Sequence, residues 1–248
     1  MSKIDLKKVS TKPPADLKKS DLKKEKRALI EEFGELQNLL VANGKNSLLV
    51  VLQGMDASGK DGAVKDVFAN VSPMYCLSHS FKKPSKEEME HDFLWRVHKV
   101  VPRKGMIQIF NRSHYEDVLI QRVRKWIDEK TVKKRFAHIN NFESLLEDSG
   151  TLLVKFFLHV SKSKQLERLN ERKDIRRKNW KHNDGDFEER KLWTKYQRAY
   201  EGVLEHCNKA PWTIVPADAN WYKEYLMAKT IVERLRALKM KYPALPKA

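Results

Sequence analysis

Cysteine is nearly missing from this chain, with Cys76 and Cys207 the only two among 248 residues. Two thiols so far apart form neither a disulfide framework nor a metal-ligand spacing, so both are expected to be reduced and inert. Long apolar runs are missing as well. The longest, at 47–52 and 151–160, have the length of buried strands, well short of the roughly 20 residues a bilayer helix needs. No membrane partner is expected. The N-terminus is charged from Lys3 onward and offers no apolar core for a signal peptide, which predicts a cytoplasmic protein.

Acidic residues are the other shortage. There are 33 against 50 Lys and Arg, a formal balance of +17, in a chain that is 41% hydrophobic and 33% charged. The apolar share suffices for a globular core. The basic excess calls for a polyanionic partner: nucleic acid, anionic lipid or polyphosphate. Charge alone does not choose among them.

Residues 1–20, with Lys7, Lys8, Pro13, Pro14, Lys18 and Lys19, read as a basic, flexible arm that is extended and poorly packed. From Asp21 onward, Leu29, Phe33, Leu36 and Leu40 recur at helical spacing up to the stop at Asn43 and Gly44. This stripe packs on the chain's own sheet or serves an interface in a homo-oligomer. Strands are predicted at Ser47–Gln53, Tyr75–Ser80, Met106–Phe110, Leu152–His159 and Thr213–Val215, and helices at 86–99, 114–126, 131–147, 162–173, 187–206 and 220–240. Five short strands alternating with helices make an α/β fold, a parallel sheet covered on both faces. No repeat or linker divides residues 21–248, so they form one domain.

The strongest motif is GMDASGKD at 54–61. It fits G-x-x-x-x-G-K and lies between a hydrophobic strand and a helix, the context a phosphate-binding loop requires. Gly54 and Gly59 let the backbone wrap round phosphates, the N–H groups of Ala57, Ser58 and their neighbours stabilise the charge, and Lys60 reaches the reacting groups. Asp61 stands where Ser or Thr normally offers magnesium a hydroxyl. The metal therefore needs another ligand, and Asp56 is the nearest carboxylate.

A second acidic site, Glu116 and Asp117 in NRSHYED, follows the third strand. Carboxyl ends of parallel strands face the ligand crevice, so these acids complete a metal site with Asp56 or simply stabilise a helix start. A third feature is the basic stretch from Arg172 to Lys181, six basic residues and one acid. It is solvated surface, or a lid of about 172–190 that closes over phosphates. His91, Trp95 and His98 share one predicted helix face, as core packing or acceptor lining. Asp218 is expected to cap the last helix.

Together, GMDASGKDG, FNRSHYEDVL, FKKPSKEEMEHDFLWRVHK, the lid WK and VPADANWY resemble polyphosphate kinase family 2 from about Asp21 to Tyr242. The resemblance implies a three-layer, thymidylate-kinase-like P-loop fold with a five-stranded parallel sheet and a basic helical lid. It also implies reversible phosphoryl transfer between inorganic polyphosphate and nucleotides, with magnesium and manganese as an alternative ion. On it, Asp56 and Asp117 bind metal, Lys60 holds the reacting phosphates, and Arg112 and the lid bases Arg172, Arg177, Lys178 and Lys181 contact phosphate. Glu116 marks the subgroup that accepts AMP as well as ADP, with guanine nucleotides a further option. A charged, flexible substrate suits a basic groove, which Lys65, Arg122 and Arg124 would also line. Trp180 is expected to cap the acceptor base or sugar. Ile175 stands where many members have proline, which predicts a less constrained lid. Two rival readings are an ATP-dependent kinase on the same fold and a basic nucleic-acid-binding P-loop protein.

Overall fold

The structure is a computed structural model and describes residues 4–245. Its strands are β1 (Ser47–Gln53), β2 (Cys76–Ser80), β3 (Ile107–Asn111), β4 (Thr151–His159) and β5 (Trp212–Pro216). Every residue of β1 is buried, because it runs through the middle of one parallel sheet ordered β2-β3-β1-β4-β5. Val50 lies opposite Ile109 on one side and Val154 on the other. The parallel register brings the carboxyl ends of all the strands to a single edge, from which the phosphate loop and NRSHYED leave and beside which the lid lies.

The helices are α1 (Lys19–Asn43), α2 (Lys60–Val67), α3 (Lys86–Glu90), α4 (Trp95–His98), α5 (Ile120–Val123), α6 (Glu129–Asp148), α7 (Lys162–Asp174), α8 (Gly185–Lys191), α9 (Trp193–His206) and α10 (Asn220–Arg236). Among the described residues none is long and apolar enough to cross a membrane. Gly44 ends α1 in the left-handed conformation at φ 62°, which glycine adopts without strain. The α1 stripe is buried in the chain's own core and α1 packs along α10. That stripe is therefore not free to build an oligomer.

Local hydrogen bonding breaks three predicted helices, the 187–206 one at Leu192, whose amide turns back to Glu189 and ends α8 before α9 begins. Ser85 and Glu88 form a capping box that starts α3, His91 ends it, and Asp92 begins the next turn by accepting from the Leu94 amide. The 114–126 segment opens instead as a 3₁₀ turn over His114–Val118, capped by Ser113, before α5.

The expectation for the N-terminal arm is corrected over its described part. Leu6 is 1% exposed within the core. The amides of Ile4 and Leu6 donate to Glu205 and Glu201, and the ring of His159 bonds the carbonyls of Leu6 and Val9. Thr11 donates to Asp218 at 2.8 Å. Asp218 also accepts from the Ser161 amide, so it ties the arm to the start of α7 and does not cap α10. The basic, proline-containing composition hid a short apolar anchor.

Candidate active site at the strand ends

The loop after β1 takes its shape from three residues with positive φ: Gly54 at 154°, Ala57 at 57° and Gly59 at 94°. A Cβ on Gly54 would sit 2.7 Å from the Leu158 carbonyl, and one on Gly59 would sit 2.7 Å from Lys223 Nζ. Gly54 therefore needs glycine for space as well as for backbone freedom, and Gly59 chiefly for its left-handed backbone. Ala57 has a Cβ yet stays left-handed, a strain of about 1–2 kcal/mol that its surroundings must hold. Lys60 opens α2 and folds back, its ammonium donating to the carbonyls of Gly54 (2.7 Å) and Met55 (3.2 Å). Burial, helped by the neighbouring Arg112, lowers its pKa to about 8. Asp61 accepts from Asn111 (2.9 Å) and Lys181 (2.7 Å). Burial would raise its pKa, but these bonds bring it below the usual carboxylate value.

At the end of β3 Arg112 is itself left-handed (φ 62°), and this bend aims its guanidinium at Asp56, 2.7 Å away. In the 3₁₀ turn that follows, successive side chains diverge by about a third of a turn. Glu116 consequently faces the loop, where burial raises its pKa against the pull of Arg112 and Lys60. Asp117 points elsewhere. It is 2% exposed and is held by Arg96 (3.2 Å), by Gln121, and by Arg135 at 3.9 Å. Of the two acids it is Glu116 that shares a cavity with Asp56, while Asp117, the expected partner of Asp56 on a metal, is ion-paired with two arginines.

Two cavities open at this edge. The larger, about 570 Å³, is walled by Ala57–Gly62 together with eight basic side chains, among them Lys60, Arg112, Arg168, Arg172, Lys178 and Lys181. The smaller, about 270 Å³, is lined by Gly54, Glu116, Ile120, Glu189 and the aromatic rings of Trp193, Tyr196 and Tyr200. Asp56, Arg112, Asn183 and Asp186 line both, so the cavities meet there.

The lid leaves α7 as a 3₁₀ segment, Arg176–Lys181. Arg172 pairs with Asp186 (2.6 Å), Lys178 with Glu171 (2.5 Å) and Lys181 with Asp61 (2.7 Å). The Ile175 amide donates to the Glu171 carbonyl, a bond that proline would forbid, so the lid start is tied down rather than loosened. Besides Asp117, five expected residues lie off the two cavities. Lys65 and Arg177 are exposed on outer faces, Arg122 is paired with Glu129, and Trp180 is 79% exposed under the Lys181 ammonium. Arg124 is paired with Glu189. His91 stacks on Trp95 at 3.9 Å and His98 packs on Phe142, so this trio makes structural contacts.

The model of the family described as polyphosphate kinase 2 matches residues 16–243. The chain belongs to that family. It is 49% identical over 211 residues to the AMP/ADP-polyphosphate phosphotransferase of Meiothermus ruber, covering 84% of this chain and 79% of that protein. It is 40% identical over 231 residues to the ADP-polyphosphate phosphotransferase of Rhodopseudomonas palustris, covering 88% and 80%. The crystal structure of polyphosphate kinase 2 from Arthrobacter aurescens superimposes with a TM-score of 0.96 at 38% identity, over 100% of this chain and 90% of that one.

The strand order and the loop are thus those of a polyphosphate kinase 2, and the α/β expectation with five parallel strands is met. Several residues that no sequence motif marked stand at the site. Gln165 and Arg168 on α7 and Lys223 on α10 touch the phosphate loop, while Asp186, Tyr196 and Tyr200 line the smaller cavity. Their only signal was a polar residue on an amphipathic helix, which is also what a solvated face looks like. The VPADANWY string came nearest, since it ends one residue short of Lys223.

Proposed function

We propose that the chain transfers phosphoryl groups between inorganic polyphosphate and nucleoside mono- and diphosphates, making ADP from AMP and ATP from ADP, reversibly and with magnesium. The observation that carries the reading is the junction of a strongly basic cavity with a smaller aromatic one at Asp56 and Arg112. A polyphosphate chain carries charge on every unit and suits the first. A base and sugar, flat and apolar with polar edges, suit Trp193, Tyr196 and Tyr200 in the second. The two substrates' phosphates then meet at the loop.

In the forward direction an oxygen of the nucleotide's terminal phosphate attacks the terminal phosphorus of polyphosphate. The bridging P–O bond breaks, and the shortened polyphosphate keeps that bond's electron pair. Loop N–H groups and Lys60 hold the reacting phosphates, and Arg112 and Lys181 neutralise charge gathering on the transferred group. No Ser or Cys nucleophile is required. Among the described residues no three His, Cys, Asp or Glu side chains form a ready metal cage. That fits magnesium, which uses one or two carboxylates and completes its shell with substrate phosphates and water. Asp56 and Glu116 would hold it, and it would supply charge neutralisation between the phosphates. Glu116 in the smaller cavity also supports acceptance of both AMP and ADP, as in the name of the Meiothermus ruber relative. Guanine nucleotides, a homo-oligomeric state and a cytoplasmic site are parts of the same reading.

The test is nucleotide formation from AMP, ADP, GMP and GDP with long-chain polyphosphate and magnesium, alongside ATP as sole donor. Product from polyphosphate with AMP and ADP supports the reading. Transfer from ATP alone, with polyphosphate inert, supports the rival ATP-dependent kinase.

A further inference from the structure

A phosphate loop binds anions by turning its N–H groups inward, which turns its carbonyls outward, and outward carbonyls need donors of their own. Here every carbonyl from residue 54 to residue 59 has one. Lys60 takes Gly54 and Met55. Gln165 Nε2 donates to the Asp56 carbonyl at 3.0 Å. Arg168 Nη1 donates to both Ala57 and Ser58 at 3.1 Å. Lys223 Nζ donates to Gly59 at 3.1 Å. Three of the four donor side chains come from outside the loop, on helices more than a hundred residues away in sequence.

Arg168 is the centre of this arrangement. Its other nitrogen, Nη2, donates to the Ala217 carbonyl (2.8 Å), the Asp218 carbonyl (3.3 Å) and Asn220 Oδ1 (3.0 Å). One guanidinium thus bridges the loop to the segment that follows β5. A planar fork with two nitrogens held apart reaches these five acceptors at once; a lysine, with a single nitrogen, does not. Arg168 also grips the one strained alanine, Ala57 at φ 57°. Gln165 and Arg168 lie one turn apart on α7, the helix whose last turn carries Glu171 and Arg172, the lid's own anchors. Gln165 additionally accepts from Arg190 of α8, at the far end of the lid (3.4 Å).

We propose that Arg168, supported by Gln165 and Lys223, is a positioning residue that clamps the outward carbonyls of the phosphate loop, holds Ala57 left-handed, and so keeps the loop shaped for phosphate before substrate arrives. The proposal rests on the polyphosphate reading for its ligand class. Its mechanism is preorganisation: the loop's ordering is completed by folding rather than at binding. Because the clamp sits on the helix that leads into the lid, a lid displacement that pulls α7 also loosens the loop.

The experiment is calorimetric titration of inorganic tripolyphosphate into wild type, Arg168→Ala, Arg168→Lys and the double variant Arg168→Ala with Ala57→Gly. Melting curves by circular dichroism identify which proteins are folded at the titration temperature. Arg168→Ala is expected to weaken binding about 30-fold or more, and Arg168→Lys, with one donor nitrogen instead of a fork, by an intermediate factor. Glycine accepts φ near 57° without strain, so the double variant is expected to bind about tenfold more tightly than Arg168→Ala alone. A merely structural role would not be relieved by that second substitution. Should Arg168→Ala not fold, the same comparison is made with Arg168→Lys and its Ala57→Gly partner. Wild-type affinity retained in Arg168→Ala, or no recovery with glycine at 57, overturns the clamp while wild-type transfer from polyphosphate stands. A wild type that neither binds tripolyphosphate nor transfers from polyphosphate overturns the functional reading and the clamp with it.

Discussion

Lys60 and Lys223 contact opposite ends of the phosphate loop, and burial brings both down to about 8 from an ordinary 10.5. A bound phosphate favours the charged ammonium, so its pKa rises in the complex. The free protein has therefore lost part of its protons at pH 8 while the complex keeps them. Affinity for polyphosphate is expected to be full below pH 8 and to fall as pH rises above it, by up to about tenfold per unit for each lysine. Rising KM for polyphosphate between pH 8 and 9.5, with proton uptake on binding in buffers of different ionisation heat, checks this. A flat KM contradicts it. Asp117 supports a different prediction. Asp117→Asn leaves buried Arg96 with only the more distant carboxylate of Glu88, 3.7 Å away, and is expected to lower stability by about 3 kcal/mol, read from denaturant midpoints. An unchanged midpoint combined with lost magnesium binding would return Asp117 to the metal. The sequence could not separate Glu116 from Asp117, since which acid faces the loop depends on a 3₁₀ turn rather than an α-helical one. The loop itself was legible because its glycines, lysine and strand are contiguous. Arg168 and Lys223 were not, because crossover connections bring them there and no local spacing records that.

At the scale of elements, the N-terminal segment behaves as a strap. Leu6 fills core space beside β4, and Leu6→Ala is expected to cost about 2–4 kcal/mol through the cavity it leaves. Thermal melts would detect this, and a shift of less than a degree would mean the strap is not packed in solution. The predicted strands agree with the observed ones to within one residue at either end, because a buried parallel strand is a short apolar run between turn residues. Helices 86–99 and 114–126 were read as continuous because hydrophobic spacing carries on across both breaks. The capping box at Ser85 and the cap at Ser113 decide where the backbone restarts.

Over the whole molecule the balance is +17, and eight basic side chains stand round one cavity against four acids. Binding of long-chain polyphosphate should therefore weaken steeply with salt, by about an order of magnitude or more from 50 to 200 mM, while KM for the nucleotide in the smaller, acid-lined cavity shifts far less. Equal salt dependence of the two constants would mean that both substrates share the basic groove.

The most direct measurement follows phosphorus by NMR while long-chain polyphosphate, AMP and magnesium are incubated with wild type and with Asp56→Asn, a change at the carboxylate common to both cavities. The account predicts ADP and then ATP signals growing as polyphosphate end groups shift in wild type, with the rate in the variant lower by about a thousandfold. Undiminished transfer in Asp56→Asn, or no transfer from polyphosphate in the wild type, would contradict it.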